Sequence, residues 1–290
     1  MNIIFPIMAI FFYGLSPVFQ KSALKRIPLP HLFFIHGCVI FILYSIIYVI
    51  FHDRPIDGNI IWAVFAGVSS LIGFIFFYEA LKVGNASIVT AISSAYALVT
   101  VLLSMIFLKE RITLIEIGGI VFIIFGIVSL NLSQLKNNNG KEKKVFNWKG
   151  ILFPLLAAIC WGAWGLFSKK AVSLAGEINT LVVFGIIAFI FFPLYGFIKL
   201  DRTKKIQFTK DYKLGILIGI LSVCVVGTAS FSFYFSVQFY RIAILAPIVS
   251  IYPGVTLIFS MLFLKEKINF KQIIFILLII LGVILLNITG

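Results

Sequence analysis

The stretches SMIFLKERI, residues 104–112, and SMLFLKEKI, residues 260–268, agree at seven of nine positions within one chain. Chance is a poor explanation of such a match, so the pair marks an internal duplication. The same register sets Tyr78 against Tyr234, Tyr96 against Tyr252, Thr100 against Thr256, Gly126 against Gly282 and Asn131 against Asn287. A second register, shifted by a longer second-half loop, sets Tyr13-Gly14 against Trp161-Gly162, Phe19 against Phe167 and Lys21 against Lys169.

Around these anchors the chain is built of apolar runs. Hydrophobic residues make up 61% of 290 and charged residues 12%, with a mean hydropathy of +1.13. No soluble domain could cover its surface from such a composition, so the lipid bilayer is the required partner. A span needs about 20 apolar residues to cross the hydrocarbon core. Runs of that length are predicted near 2–20, 31–51, 60–81, 86–108, 114–132, 150–169, 178–198, 214–238, 242–264 and 269–288. The hydrophilic stretches 133–149, with Asn137-Asn138-Asn139-Gly140 at its centre, and 199–213 are predicted loops. The first divides a five-helix unit over 1–132 from a second over 150–290. The first run lacks a basic leading region and a small-residue cleavage site, which predicts that it stays as the first span.

The predicted fold is therefore an all-α integral membrane protein, multi-pass in the cell membrane, with ten transmembrane helices as two inverted five-helix repeats. The inversion follows from arithmetic: an odd number of spans per unit makes the two units enter the membrane in opposite senses.

The net charge of +14 does not point to nucleic acid, because the basic residues sit in short stretches between apolar runs. Eighteen of the 24 fall in connections on one side of the predicted membrane and six on the other, which places both termini outside. Cys38, Cys160 and Cys224 lie inside apolar runs without paired spacing, and nothing in the sequence asks for a metal or another cofactor.

These features resemble the drug/metabolite transporter superfamily, in particular its ten-span EamA-type members. The resemblance is carried by Tyr13-Gly14 and Trp161-Gly162, by YEALKVGNAS at 78–87, and by FLKE at 107–110 and 263–266. It implies a proton-coupled or exchange carrier for small metabolites, often an exporter of amino acids or related compounds. It also implies cytoplasmic termini, opposite to the charge count, and an Arg in the second span near the place of His36.

Candidate site residues follow from spacing. The fourth span sets Thr90, Ser93, Tyr96, Ala97, Thr100 and Ser104 on one face, and the ninth repeats the stripe with Ala246, Ser250, Tyr252, Pro253, Thr256 and Ser260. Such stripes serve close helix packing or line a cavity, and the tyrosine hydroxyls favour the cavity. Substrate contacts are expected from Tyr13, His36, Tyr78, Ser93, Tyr96, Trp161, Trp164, Tyr234, Ser250 and Tyr252. Glu79, three residues before Lys82, is either a proton carrier or half of an ion pair along one helix face. His36, the one His well inside a span, is the second proton-coupling candidate, against a simple interhelical hydrogen bond. Glu110 and Glu266 are expected to cap or pair at a helix junction. Pro247 and Pro253 interrupt the ninth span where the fourth has Ala91 and Ala97.

Together these features favour an alternating-access transporter of a small molecule, with an amino acid or amine-bearing compound as the expected substrate and protons as a coupling ion. An enzyme is disfavoured because no Asp falls in any span and no His stands near a nucleophilic Ser. A non-transporting scaffold or receptor would need no central cavity.

Overall fold

The computed structural model describes residues 3–51, 60–108, 113–136, 149–200 and 209–285. Among these, every regular element is a helix: α1 Ile4–Leu24, α2 Leu29–Phe51, α3 Ile61–Val83, α4 Ala86–Ser93, α5 Tyr96–Leu108, α6 Leu114–Lys136, α7 Lys149–Ala175, α8 Glu177–Lys199, α9 Lys210–Phe239, α10 Ile242–Val249, α11 Pro253–Phe263 and α12 Phe270–Leu285. Eight helical stretches are long and apolar enough to cross a membrane, counting α4–α5 and α10–α11 as one each. The expected fifth and tenth spans hold shorter apolar stretches, Ile117–Gly126 and Phe270–Gly282. Large side chains such as Ile42, Ile190 and Leu217 are more than half exposed on the outside. That inside-out distribution suits lipid, which has no stake in hiding them.

Several boundaries differ from the sequence expectation: α1 runs to Leu24 instead of 20 and α7 to Ala175 instead of 169. Helix α9 starts at Lys210 instead of 214, because the Thr209 hydroxyl accepts the Tyr212 N–H at 3.1 Å and Asp211 sits in the first turn. Helix α6 continues to Lys136 with no Pro or Gly to stop it; the rest of the expected 133–149 loop up to 148 lies outside the described residues, as does Glu110.

The fourth span was expected to be continuous and the ninth to be interrupted at Pro247 and Pro253; both are broken at the same register, and Pro247 lies inside α10. In the ninth, Pro253 opens α11 and cannot donate to the preceding turn. The fourth has no proline. Its break is made by serines: the hydroxyls of Ser93 and Ser94 bond back to the carbonyls of Thr90 (3.2 Å) and Ala91 (2.8 Å), which compete with the helical ladder. Around both breaks the backbone tightens to three-residue bonds, Ala95 N–H to Ile92 O and Tyr252 N–H to Val249 O.

Helices pair across the chain: α1 packs on α9, α2 on α8, α3 on α7, and α6 on α12, with α5 against α7 and α10. Glycine sets the closest approaches. A Cβ on Gly14 would lie 2.4 Å from Val255 Cβ, and one on Gly162 would lie 2.4 Å from Val99 Cβ. At the same crossings Thr256 Oγ1 donates to Gly14 O (2.7 Å) and Thr100 Oγ1 to Gly162 O (3.2 Å). Small residues let the backbones meet, and the threonine hydroxyls stitch them.

Gly162→Val should therefore lower stability by about 1–3 kcal/mol, the scale of overpacking a tight contact. Gly118→Ala, where an added Cβ meets nothing within 4 Å, should instead be neutral or mildly stabilising, by up to about 1 kcal/mol. Thermal unfolding midpoints of the purified variants in detergent decide it; equal midpoints would contradict the packing described.

Lysines fasten two helix ends in matching fashion. Lys21 Nζ donates to the Leu81 and Lys82 carbonyls at the end of α3, and Lys169 Nζ to Val237 O (2.7 Å) and Tyr240 O (3.0 Å) at the end of α9. Each meets the negative end of a helix dipole and satisfies carbonyls that have no partner of their own.

Candidate functional site

A cavity lies where α1, α3, α5, α7, α9 and the α10–α11 break converge. It offers about 40 Å³ to the centres of water-sized molecules, room for a few waters, at roughly 10–15 Å³ apiece. In this conformation the cavity is narrow.

The aromatic walls come first from α7. Trp164 stacks on Phe233 with ring centroids 4.5 Å apart, and its Nε1–H donates to Tyr234 Oη at 2.7 Å. Trp161, one helical turn earlier, reaches the Ser70 carbonyl (3.4 Å) and lies edge-on to Phe74, 5.3 Å between centroids. Fixing an indole at both its face and its N–H leaves it little rotational freedom.

The break-point tyrosines cross between the halves of the chain. Tyr96, the first residue of α5, donates to Ala246 O on α10 at 3.3 Å, and Tyr252 Oη sits 3.4 Å from Ser93 Oγ on α4. Tyr13 from α1 donates to Ser230 Oγ at 3.1 Å and has Tyr252 as a ring neighbour at 6.2 Å. Ser16, Pro17 and Gln20 continue the α1 wall, and Phe77 and Val226 complete the lining. No Asp, Glu, Lys, Arg or His is among these lining residues.

Of the ten expected contact residues, the structure brings five together here: Tyr13, Tyr96, Trp161, Trp164 and Tyr252. The others stand one side chain behind. Tyr234 and Ser93 hold Trp164 and Tyr252 from the rear. His36 Nδ1 is 2.6 Å from Tyr78 Oη, and the imidazole is enclosed by Phe74, Tyr78 and Phe192, so Phe74 separates this pair from the cavity. Ser250 is buried at the α10–α11 break. The remaining stripe hydroxyls serve packing: Thr90 and Ser104 bond to backbone carbonyls of their own helices, and Thr100 shares its hydroxyl proton between Tyr96 O and Gly162 O.

Glu79 does not pair with Lys82 along α3 as expected. Its Oε1 accepts from Tyr195 Oη (3.1 Å) and lies 3.9 Å from Lys199 Nζ, both on α8, which packs beside α3. Lys82 is exposed. Glu266 does cap a helix, from far away in the chain: its carboxylate accepts the Ala86 N–H (2.7 Å), the Ser87 N–H (3.3 Å) and the Ser87 hydroxyl (2.7 Å) at the start of α4. Lys265, in the left-handed conformation with φ 52°, turns the chain at that point.

Gln20 was not among the expected residues. It is fully buried, and neither Oε1 nor Nε2 of its carboxamide has a hydrogen-bond partner. An unmet amide costs about 1–3 kcal/mol in a protein interior. The signal for it was in the sequence: Tyr13, Ser16, Pro17 and Gln20 follow the i, i+3, i+4, i+7 spacing of one helix face.

A sequence model of the EamA-like transporter family matches residues 1–132 and 148–288. An uncharacterised protein of Methanocaldococcus jannaschii is 35% identical over 136 residues, which is 46% of this chain and 97% of that protein. A crystal structure with 16% identity superposes with a TM-score of 0.62, covering 99% of this chain and 96% of the other, and so shares the fold.

Proposed function

We propose a function from one premise: this chain belongs to the EamA-like transporter family. It works as an alternating-access carrier of a small metabolite in the cell membrane. Its ten spans form two inverted five-helix halves, 1–132 and 150–290, joined by the 133–149 linker. The halves rock about the central cavity and open it to one side and then the other.

The observation that carries this reading is the pairing of the cavity lining. In the duplicated registers Tyr13 answers to Trp161, Ser16 to Trp164, Ser70 to Val226, Phe74 to Ser230 and Tyr96 to Tyr252. Ten of the thirteen lining residues fall into such pairs. A scaffold has no need to place equivalent positions of two repeats around one hollow; a carrier that exposes its site to both sides does.

The lining also narrows the substrate. Sugar phosphates and other multiply anionic compounds need Lys or Arg at the site, and none borders it. Aromatic faces with hydroxyls suit a neutral or zwitterionic compound with an apolar part, and an amino acid or related amine-bearing metabolite fits best. Proton coupling runs through Glu79 or His36, the titratable candidates on α3 and α2.

Counterflow in proteoliposomes tests the reading. Vesicles preloaded with an unlabelled amino acid, amine or sugar should accumulate trace labelled compound in one class only. No accumulation from any of them, with folded protein, would sink the carrier. In the same vesicles the Glu79→Gln, His36→Phe double variant should keep counterflow and lose uphill uptake driven by a pH gradient; retained uphill uptake would remove both residues from the coupling role.

A further inference from the structure

Five residue pairs of the lining are shared between the repeats, and three lining residues are not: Pro17, Gln20 and Phe77 all come from the first half. Gln20 is the one with chemistry to offer. Two structural polar groups on the walls' helices recur in both repeats, Lys21 with Lys169 and Thr100 with Thr256. The place equivalent to Gln20 holds Ser168, whose hydroxyl simply bonds back to Trp164 O at 2.7 Å. The fold therefore does not demand an amide at this position. A carboxamide left without partners in an apolar interior is destabilising, and a role must offset that.

We propose that Gln20 is the specificity-determining residue of the cavity, pairing through its carboxamide with a net-neutral ligand group that presents a hydrogen-bond donor and acceptor side by side. A carboxamide carries an acceptor oxygen next to two N–H donors, so its complement offers the reverse. Two sources share that chemistry. The head of a zwitterionic α-amino acid donates from its ammonium to Oε1 and accepts at its carboxylate from Nε2. A primary amide does the same with one N–H and its carbonyl. Net neutrality follows from the lining, which has no ionised side chain to balance a charge brought in from water. Phe77 and Phe74 flank the site with apolar surface for the rest of the ligand.

The inference rests on the carrier reading and deepens it, so the test separates binding from transport. Binding to the purified full-length chain is followed by tryptophan fluorescence, since Trp161 and Trp164 border the cavity, and transport by counterflow. The probes are leucine, its uncharged relative isocaproamide, the cation leucinamide and the anion N-acetylleucine. Leucine or isocaproamide, and the stronger of the two names the source, should bind about tenfold or more tightly than the charged pair, or about 1.4 kcal/mol. Gln20→Leu, close in volume, should bind the net-neutral probe about tenfold less tightly, while its thermal midpoint stays level or rises because an unmet amide is gone. Gln20→Glu should turn the preference toward leucinamide.

Unchanged binding in Gln20→Leu, equal binding of charged and net-neutral probes, or a lowered midpoint in Gln20→Leu would each overturn the proposal. Counterflow that persists at the wild-type rate in Gln20→Leu overturns it and leaves the carrier standing. Selective, Gln20-dependent binding without counterflow leaves Gln20 standing and overturns the carrier. Failure of all four probes to bind folded wild-type protein overturns the assignment of this ligand class.

Discussion

Glu266→Ala should lower the thermal midpoint more than any other single change outside the apolar core, with a loss of about 2–3 kcal/mol. Three donors lose their acceptor at once: two backbone N–H groups of Ala86 and Ser87 and the Ser87 hydroxyl. The start of α4 is buried, so water does not readily replace the carboxylate. The loss extends beyond one helix. Glu266 follows α11, roughly 180 residues after the helix it caps, and its carboxylate fastens the late part of the chain to the early part. Glu266→Gln keeps an acceptor oxygen but not the charge that favours the positive end of a helix, and should recover about half the loss. The experiment is a thermal melt of the three proteins in one detergent, read beside exchange rate. A wild-type midpoint in Glu266→Ala would mean that the cap is ornamental.

The second large effect belongs to Trp164→Ala. The ring is buried, stacked on Phe233 and tied by its N–H to Tyr234. Emptying that space costs about 3–5 kcal/mol in packing. It also removes a wall of the cavity, so exchange per folded molecule should fall by about a hundredfold, the equivalent of roughly 3 kcal/mol. Stability and site are separated by Trp164→Phe, which keeps a ring against Phe233 and loses only the N–H contact. That variant should stay folded, at a cost of about 1 kcal/mol, with exchange reduced several-fold. If Trp164→Ala exchanged at the wild-type rate per folded molecule, the cavity would not be the path of the substrate.

Much of the site was legible because duplication multiplies weak signals. Tyr13 or Trp161 alone means little in a chain so rich in aromatics, yet the two occupy one repeat position and both reach the cavity. The tyrosines of the fourth and ninth spans were likewise marked by register. What escaped was whatever depends on neighbours distant in sequence. Spacing offered Lys82 to Glu79, whereas helix packing supplied Tyr195 and Lys199. His36 and Tyr78 read as cavity groups from their depth, but Phe74 stands between them and the hollow.

The broken fourth span shows a different limit. Proline announces a break because it lacks a donor, and Pro253 opens α11 as its chemistry requires. Ser93 and Ser94 announce nothing, since serine in a helix is compatible with continuation or with bonding back to the ladder. Gln20 escaped for a simpler reason: an uncharged amide near a helix end looks like a side chain bound for water, and its neighbours on the α1 face decide otherwise.

The absence of ionised side chains from the cavity lining has a consequence for cells that hold a voltage across their membrane. Carrying one elementary charge through 100 mV is worth about 2.3 kcal/mol, enough to drive or stall a carrier whose loaded site is charged. A net-neutral ligand in a lining free of Asp, Glu, Lys, Arg and His gives the field nothing to pull on. Ligand and lining then add nothing to the voltage dependence of the loaded step, and a membrane potential acts on it only through a coupled proton.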